Sequence, residues 1–315
     1  MIDLRDYLYE SLVLEADNSW GEIFESIICN SWNSKGKSVD DAETGSRYAS
    51  IIKGHGLDPK TIAKNIYDTL KDSKIIPEKE TLHKLDAANT TDEWFELGMY
   101  TKKPNATPKT DIISTKNNKV RISVKEESGA RLMSGAINET IATLRVAVNK
   151  SGNKELKELV DNTCKQLTED HIFRGTIKGS TKSILRKLGQ RPDSENPPED
   201  ESERIVWQIE QAKNILAGLI EKIKSFPDVY KEVLHEAISG MVKFGVDPGC
   251  ANYVLTWDKD GNCNIYNIDD YIKEFGSQYK VYATYKSSSK KSASNNVDGI
   301  DGKERNTWMV MTLSN

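Results

Sequence analysis

The chain has 315 residues, with 44 Lys and Arg against 48 Asp and Glu, and a formal net charge of -4. Its length allows one large core or two domains, and its hydrophobic fraction of 37% is typical of water-soluble proteins. No apolar run approaches the ~20 residues that cross a bilayer, and no secretory signal is recognisable. The near balance of charge excludes a global attraction to polyanions, so nucleic-acid contacts would be local.

The cysteines argue against a zinc site or a disulfide framework. They lie far apart without a C-x-x-C pair, and none of the four histidines sits beside them. They are Cys29, Cys164, Cys250 and Cys263.

Helices dominate the first hundred residues. Leu4, Leu8 and Leu12 have helical spacing and predict a short terminal helix or leader over residues 1 to 15. A second helix is expected from Ser19, which stands three residues before Glu22, the spacing of a capping box. Further helices are expected over residues 58 to 73 and 91 to 99.

A β-hairpin is predicted next, followed by a mixed pattern. Two strand-like runs, 110 to 115 and 119 to 125, flank the turn Lys116-Asn117-Asn118. The helical patterns after it cover residues 135 to 149, 152 to 169, 178 to 189, 203 to 224, 228 to 243 and 268 to 275. The later strand patterns cover residues 252 to 257, 263 to 267, 279 to 285 and 306 to 313.

The order of these elements predicts an α+β fold. An acidic, proline-bearing stretch at 191 to 203 cannot bury a core and suggests a linker or surface loop. We therefore expect a core over residues 16 to 190 and a C-terminal α+β part over residues 204 to 315.

The hairpin carries residues suited to phosphodiester hydrolysis. That reaction needs a divalent cation held by carboxylates, and a lysine near the attacking water. Asp111 opens the first strand and Lys125 closes the second, so antiparallel pairing would bring the two together.

This arrangement resembles the PD-(D/E)XK nuclease superfamily, the fold of many restriction enzymes. The resemblance covers roughly residues 105 to 145 and departs from the pattern in two places. The Pro-Asp pair is spread out as Pro108-Lys109-Thr110-Asp111, and Ser123 stands at the acidic position before Lys125. Some restriction enzymes with Ser-x-Lys recover the lost carboxylate from the next helix, and here Glu139 follows Lys125 after thirteen residues.

The resemblance implies a restriction-endonuclease-like mixed sheet flanked by helices and an endonuclease acting on DNA. It implies that Asp111 and Glu139 hold Mg²⁺ or Mn²⁺, that Lys125 activates water and that Ser123 fills the vacated position. An earlier helix often supplies a further glutamate, for which Glu25 is the reserve candidate because Glu22 suits the capping box. Many relatives cut as homodimers.

Simpler interpretations remain open for each residue. Asp111 would also suit a strand edge, and Lys125 a solvated strand end. Glu139 lies opposite the apolar stripe of its helix and would suit a solvated surface. The rival function is a non-catalytic phage head or DNA-binding protein on a decayed nuclease scaffold.

Local basic charge suits a polyanion, although a solvated strand face would look the same. The residues near the hairpin are Lys102, Lys103, Lys109, Lys116, Lys119 and Arg121. Arg131, in an expected exposed loop from Glu126 to Gly135, is either a phosphate contact or an ordinary surface residue.

A weaker second occurrence of the pattern lies near the C-terminus. Glu236, a strand from Asn252 and Lys286 follow the same order, but Asn252 stands where an aspartate is needed. A structural role is the simpler interpretation of these residues.

The first residues resemble the capsid-targeting propeptides of internal head proteins in T-even-like bacteriophages. Leu8-Tyr9-Glu10 ends an amphipathic leader at an apolar-x-Glu site, after which a prohead protease would cut. This resemblance implies phage head proteins as partners, and a location in the bacterial host cytoplasm or in the capsid. A terminal docking helix is the alternative.

Overall fold

The computed structural model describes residues 20–102, 107–116, 119–127, 130–191, 196–258, 262–289 and 304–315. The protein is α+β and divides into two compact units. The first takes its described residues from Met1–Asn89, Ala106–Ala130 and Ser239–Tyr271, and the second from Thr90–Asn105, Arg131–Ile238 and Ile272–Asn315.

The first unit contains a mixed five-stranded sheet. Its strands are β1 (Leu82–Lys84), β2 (Ile112–Ser114), β3 (Arg121–Glu126), β6 (Tyr253–Trp257) and β7 (Cys263–Asn267), in the order β1-β2-β3-β6-β7. The predicted hairpin is confirmed, since β2 and β3 pair antiparallel with Ile112 opposite Ile122. Only β3 and β6 are parallel, with Ser123 opposite Val254.

Three helices precede and flank this sheet. They are α1 (Trp20–Asn33), α2 (Arg47–Gly54) and α3 (Pro59–Asp72). The α3 helix begins where the sequence predicts, because Asp58 accepts a hydrogen bond from the Thr61 N–H and Pro59 occupies the first helical position. The α1 helix packs on β1, β3 and α3.

Apolar side chains of α1, α3 and the sheet form the core of this unit. The Phe24 ring stacks on Trp257 with 4.3 Å between ring centroids. Fully buried members of the core include Ile27, Ile28, Ile66, Leu70, Ile112, Ile122 and Leu255. This packing fixes α1 against the strands that carry the hairpin.

The second unit has β9 (Glu304–Ser314) as its central strand. On one edge β9 pairs with β8 (Lys280–Ser289), and on the other it pairs with β4 (Arg131–Ala136) and β5 (Arg174–Lys178), one after the other. Its helices are α4 (Asp92–Leu97), α5 (Ile137–Ser151), α6 (Lys154–Glu169), α7 (Thr181–Leu188), α8 (Glu201–Lys224) and α9 (Pro227–Ser239). Helix α10 (Met241–Phe244) lies in the first unit. Helix α11 (Ile268–Phe275) begins within the range of the first unit and ends within that of the second.

Several elements differ from the sequence prediction. The expected exposed loop from Glu126 to Gly135 contains β4, and the helix expected from residue 178 begins at Thr181 because β5 occupies residues 174 to 178. The units are also discontinuous in sequence, unlike the expected ranges 16–190 and 204–315, because the distant β6 pairs with β3. Pairing between distant segments leaves little trace in local periodicity.

Some predictions concern residues outside the described ranges. These are the leader over residues 1 to 15, with its Leu8-Tyr9-Glu10 site, the turn residues Asn117 and Asn118, Lys103, and part of the stretch at 191 to 203. Among the helices within the described ranges, none is long and apolar enough to cross a membrane.

Candidate functional site

Asp111 immediately precedes β2 and is fixed there by backbone hydrogen bonds. Its N–H donates to the Ile122 carbonyl over 2.8 Å, and its own carbonyl accepts from the Leu85 N–H over 3.1 Å. The residue is thereby tied both to β3 and to the residue that follows β1. Its side chain therefore projects from a well-constrained backbone position.

One carboxylate oxygen of Asp111 receives all the contacts from β3. Oδ2 accepts the Val124 N–H at 2.6 Å and the Ser123 hydroxyl at 3.2 Å, and lies 3.7 Å from Lys125 Nζ. Within the part of the chain that the structure describes, no hydrogen-bond donor reaches Oδ1. The structure thus brings Asp111, Ser123 and Lys125 together, and leaves one oxygen available to a ligand.

Glu25 of α1 belongs to the same cluster. Its side chain is 16% exposed. Burial, and then the negative charge of Asp111, raise the pKa of Glu25 from 4.5 to about 7, although Lys84 and Lys125 act in the opposite direction. A carboxyl group whose pKa lies near neutrality can change protonation state when a cation arrives.

Lys84 of β1 is the partner that holds Glu25. Its Nζ lies 3.1 Å from Glu25 Oε2 and donates to the Glu22 carbonyl oxygen over 3.4 Å. Burial lowers the pKa of Lys84, but the charge of Glu25 and their hydrogen bond raise it overall. The cluster therefore contains two carboxylates and two lysines from α1, β1, the start of β2, and β3.

Glu139 lies in the other unit. It stands in the first turn of α5, where its side chain packs close to Gly135. Burial first, and then the charge of Glu139, raise the pKa of Tyr100 to about 12. Within the first unit, the charge of Asp111 thus acts on Glu25.

The basic residues around the hairpin have varied roles. The Arg121 N–H donates to Asn252 Oδ1 over 2.8 Å, and the Arg121 guanidinium donates to the Asp247 carbonyl over 3.4 Å. Arg131 is exposed on β4, in the second unit. Lys102, Lys116 and Lys119 are exposed.

The C-terminal occurrence of the pattern does not form a second cluster within one unit. Asn252 lies in the first unit and its amide donates to the Lys119 carbonyl over 2.6 Å, so it joins the starts of β3 and β6. Glu236 and Lys286 lie in the second unit.

The cluster offers oxygen ligands for a divalent cation, though few of them. The described residues contain no group of three or more His, Cys, Asp or Glu side chains arranged to hold a metal ion. Mg²⁺ often takes only one or two protein carboxylates and completes its shell with water and substrate phosphate oxygens. Asp111 and Glu25 are two carboxylates of the same unit, and the charge of one raises the pKa of the other.

Comparison with protein-family models, curated proteins and solved structures gave no match. The site is thus defined by its own geometry. Sequence reasoning missed Lys84. This residue ends the three-residue strand β1 and stands 62 residues after Glu22, the residue of α1 whose carbonyl oxygen it contacts. No local pattern marks such a residue.

Proposed function

We propose that the protein is a metal-dependent endonuclease that hydrolyses DNA phosphodiester bonds. The observation that supports this proposal is the cluster of Asp111, Lys125 and Glu25, which joins a strand-edge carboxylate, a lysine 3.7 Å from it and a second carboxylate with a raised pKa. Groups with perturbed pKa values concentrate at functional sites. The five-stranded mixed sheet with flanking helices is compatible with the restriction-endonuclease-like fold that the sequence suggests.

Each residue has a distinct role in this proposal. Asp111 and Glu25 would hold Mg²⁺ or Mn²⁺, which would neutralise charge on the scissile phosphate and make water more acidic. Lys125 orients the attacking water and stabilises the developing negative charge. Ser123 and the Val124 N–H hold the Asp111 carboxylate in place. We assign the second carboxylate to Glu25 because it lies in the same unit as Asp111, whose charge raises its pKa.

Incubation of supercoiled plasmid with the purified full chain tests the proposal directly. We expect nicked or linear DNA with Mg²⁺ or Mn²⁺ and none with EDTA, since the site offers oxygen ligands. The Lys125→Ala variant, prepared identically, controls for contaminating nucleases. Cleavage that persists in EDTA, or that is equal in this variant, would rule the mechanism out.

One observation favours the rival function, a non-catalytic phage head or DNA-binding protein. Ser123 stands where the pattern has a carboxylate, and the described residues contain no group of three or more side chains arranged to hold a metal ion. On this alternative the protein binds DNA but leaves the plasmid intact under every metal condition.

A phage origin remains a separate proposal based on the first ten residues. If the leader is a capsid-targeting propeptide, protein recovered from virions begins at Ser11, and intact-mass measurement decides the point. Its location in the host cytoplasm or the capsid, its head-protein partners and a homodimeric state belong to the same set of proposals.

A further inference from the structure

An aromatic side chain lies between two basic ones on the sheet of the second unit. Trp308 of β9 is paired in register with Arg174 of β5 on one edge and with Lys286 of β8 on the other. Residues directly opposite in neighbouring strands point to the same side of a sheet. We call these three residues the Trp308 face.

The opposite side of the same sheet packs against α8. A Cβ at Gly175 would lie 2.5 Å from Ile205 Cγ2, and Lys213 Nζ lies 5.2 Å from the centre of the Tyr285 ring. Because side chains alternate along a strand, the Trp308 face is directed away from α8. Arg174 and Lys286 are exposed and Trp308 is partly exposed.

The Trp308 face carries unbalanced positive charge. Neither Arg174 nor Lys286 forms an ion pair with any carboxylate in the described ranges. The nearest acidic residue by register is Glu304, which stands opposite Lys178 at the far end of β5. In a chain with a net charge of -4, this local excess favours an anionic partner.

Polar groups and a cavity lie beside the Trp308 face. The Thr176 hydroxyl donates to Asn306 Oδ1 over 3.0 Å, which leaves the exposed Asn306 amide group able to donate outward. A cavity of about 570 Å³ opens where β4 ends and β5 begins, lined by Arg174, Trp308 and Phe173 among others. Cavities of this size accommodate small organic ligands such as a nucleotide.

We propose that the Trp308 face binds single-stranded nucleic acid. Trp308 stacks on a base, while Arg174 and Lys286 contact backbone phosphates on either side of it. Stacking on an exposed aromatic ring and neutralisation of phosphates by flanking cations are the two interactions that such ligands require. This binding does not depend on cleavage at Asp111.

Fluorescence anisotropy with a dye-labelled twelve-nucleotide oligo-dT in EDTA tests the proposal without cleavage. We expect the full chain to bind, and Trp308→Ala to weaken binding roughly 5- to 100-fold, the effect of losing one stacked base. Trp308→Phe should restore part of the loss. The double variant Arg174→Glu and Lys286→Glu should bind at least about 10-fold more weakly and show a flatter salt dependence.

Two controls separate this site from the rest of the protein. Lys154→Glu reverses one charge, as each substitution of the double variant does, at an exposed position at the start of α6 and should bind as the wild type does. The assay in EDTA is the second control, since no metal-dependent cleavage occurs there and failure of the nuclease proposal would leave this result intact. Unchanged binding in the double variant, or competition by polyglutamate as strong as by oligo-dT, would overturn the inference.

Discussion

Lys84 Nζ lies 3.1 Å from Glu25 Oε2, and this ion pair joins the edge strand β1 to helix α1 beside Asp111. The pair holds Glu25 next to a second carboxylate in a largely buried position, where two negative charges would otherwise repel each other. A cation that binds between Asp111 and Glu25 would take over that role from the lysine.

The Glu25→Gln substitution should stabilise the protein increasingly as pH rises from 4.5 to about 7, and by a constant amount at higher pH. The native pKa of Glu25 is about 7 against an ordinary 4.5, so the native state binds the proton more tightly and wild-type stability falls between these pH values. The glutamine variant lacks this loss, which amounts to about 1–3 kcal/mol. Urea unfolding in EDTA, carried out on wild type and variant at each pH, measures it.

The Lys125→Ala variant should lose about 100-fold or more of its metal-dependent cleavage and keep its fold. A partly exposed lysine at a strand end contributes little to stability, whereas charge stabilisation in the transition state contributes strongly to rate. Plasmid cleavage rates and circular dichroism provide the two measurements. Lys119→Ala, an exposed lysine just before β3, should cut at nearly the wild-type rate. Equal losses in both variants would contradict the assignment.

Glu25→Gln should also lose most cleavage, whereas Glu139→Gln should retain it. The first removes a carboxylate from the Asp111 cluster, and the second alters a residue of the other unit. Initial rates at saturating Mn²⁺ distinguish the two. If Glu139→Gln is inactive and Glu25→Gln cuts normally, the helix after the hairpin supplies the ligand, as the sequence resemblance first suggested.

Lys84→Met should move the pH dependence of cleavage upward. Lys84 lowers the pKa of Glu25, so its removal leaves the carboxyl protonated to a higher pH, and a cation competes with that proton. The midpoint of cleavage rate against pH should therefore rise at subsaturating Mg²⁺. Lys53→Met, at an exposed position on α2, serves as the matched control. An unchanged midpoint would mean that Glu25 is not a ligand.

Asn252→Ala should destabilise the first unit by about 1–2 kcal/mol, the cost of leaving backbone groups without their partners. Its side chain accepts from the Arg121 N–H over 2.8 Å and donates to the Lys119 carbonyl over 2.6 Å. Thermal unfolding measures the change. Because Asn252→Asp keeps the acceptor but loses the donor, its stability should lie between that of Asn252→Ala and that of the wild type.

Local signals predicted the hairpin and most helices, although they missed α2. Asp58 and Pro59 mark the start of α3, and alternation around a short turn marks β2 and β3, because capping and turn chemistry are encoded by adjacent residues. The strands β1, β4 and β5 were missed because their pairing partners lie far along the chain. Their few residues carry no periodicity of their own.

The candidate site was predictable only in part. Asp111, Ser123 and Lys125 lie on one hairpin, so their meeting follows from antiparallel pairing. The approach of Glu25 to Asp111 depends on how α1 packs against the hairpin, and the core around Phe24 and Trp257 holds that packing. Spacing along the sequence does not encode this approach, and the role of Glu139 stays a prediction.

The parallel pairing of β3 with β6 has a consequence for how the chain folds. Residues 131 to 238 belong to the second unit and separate these neighbouring strands, so the central pair of the first sheet closes over a long loop. Contacts between distant residues slow folding, because chain entropy is lost before they form. During synthesis, the first sheet cannot be completed until β6 and β7 have left the ribosome. Until then, the β3 edge of the hairpin that carries Asp111 has no partner strand. This stage of folding is therefore the one most prone to aggregation.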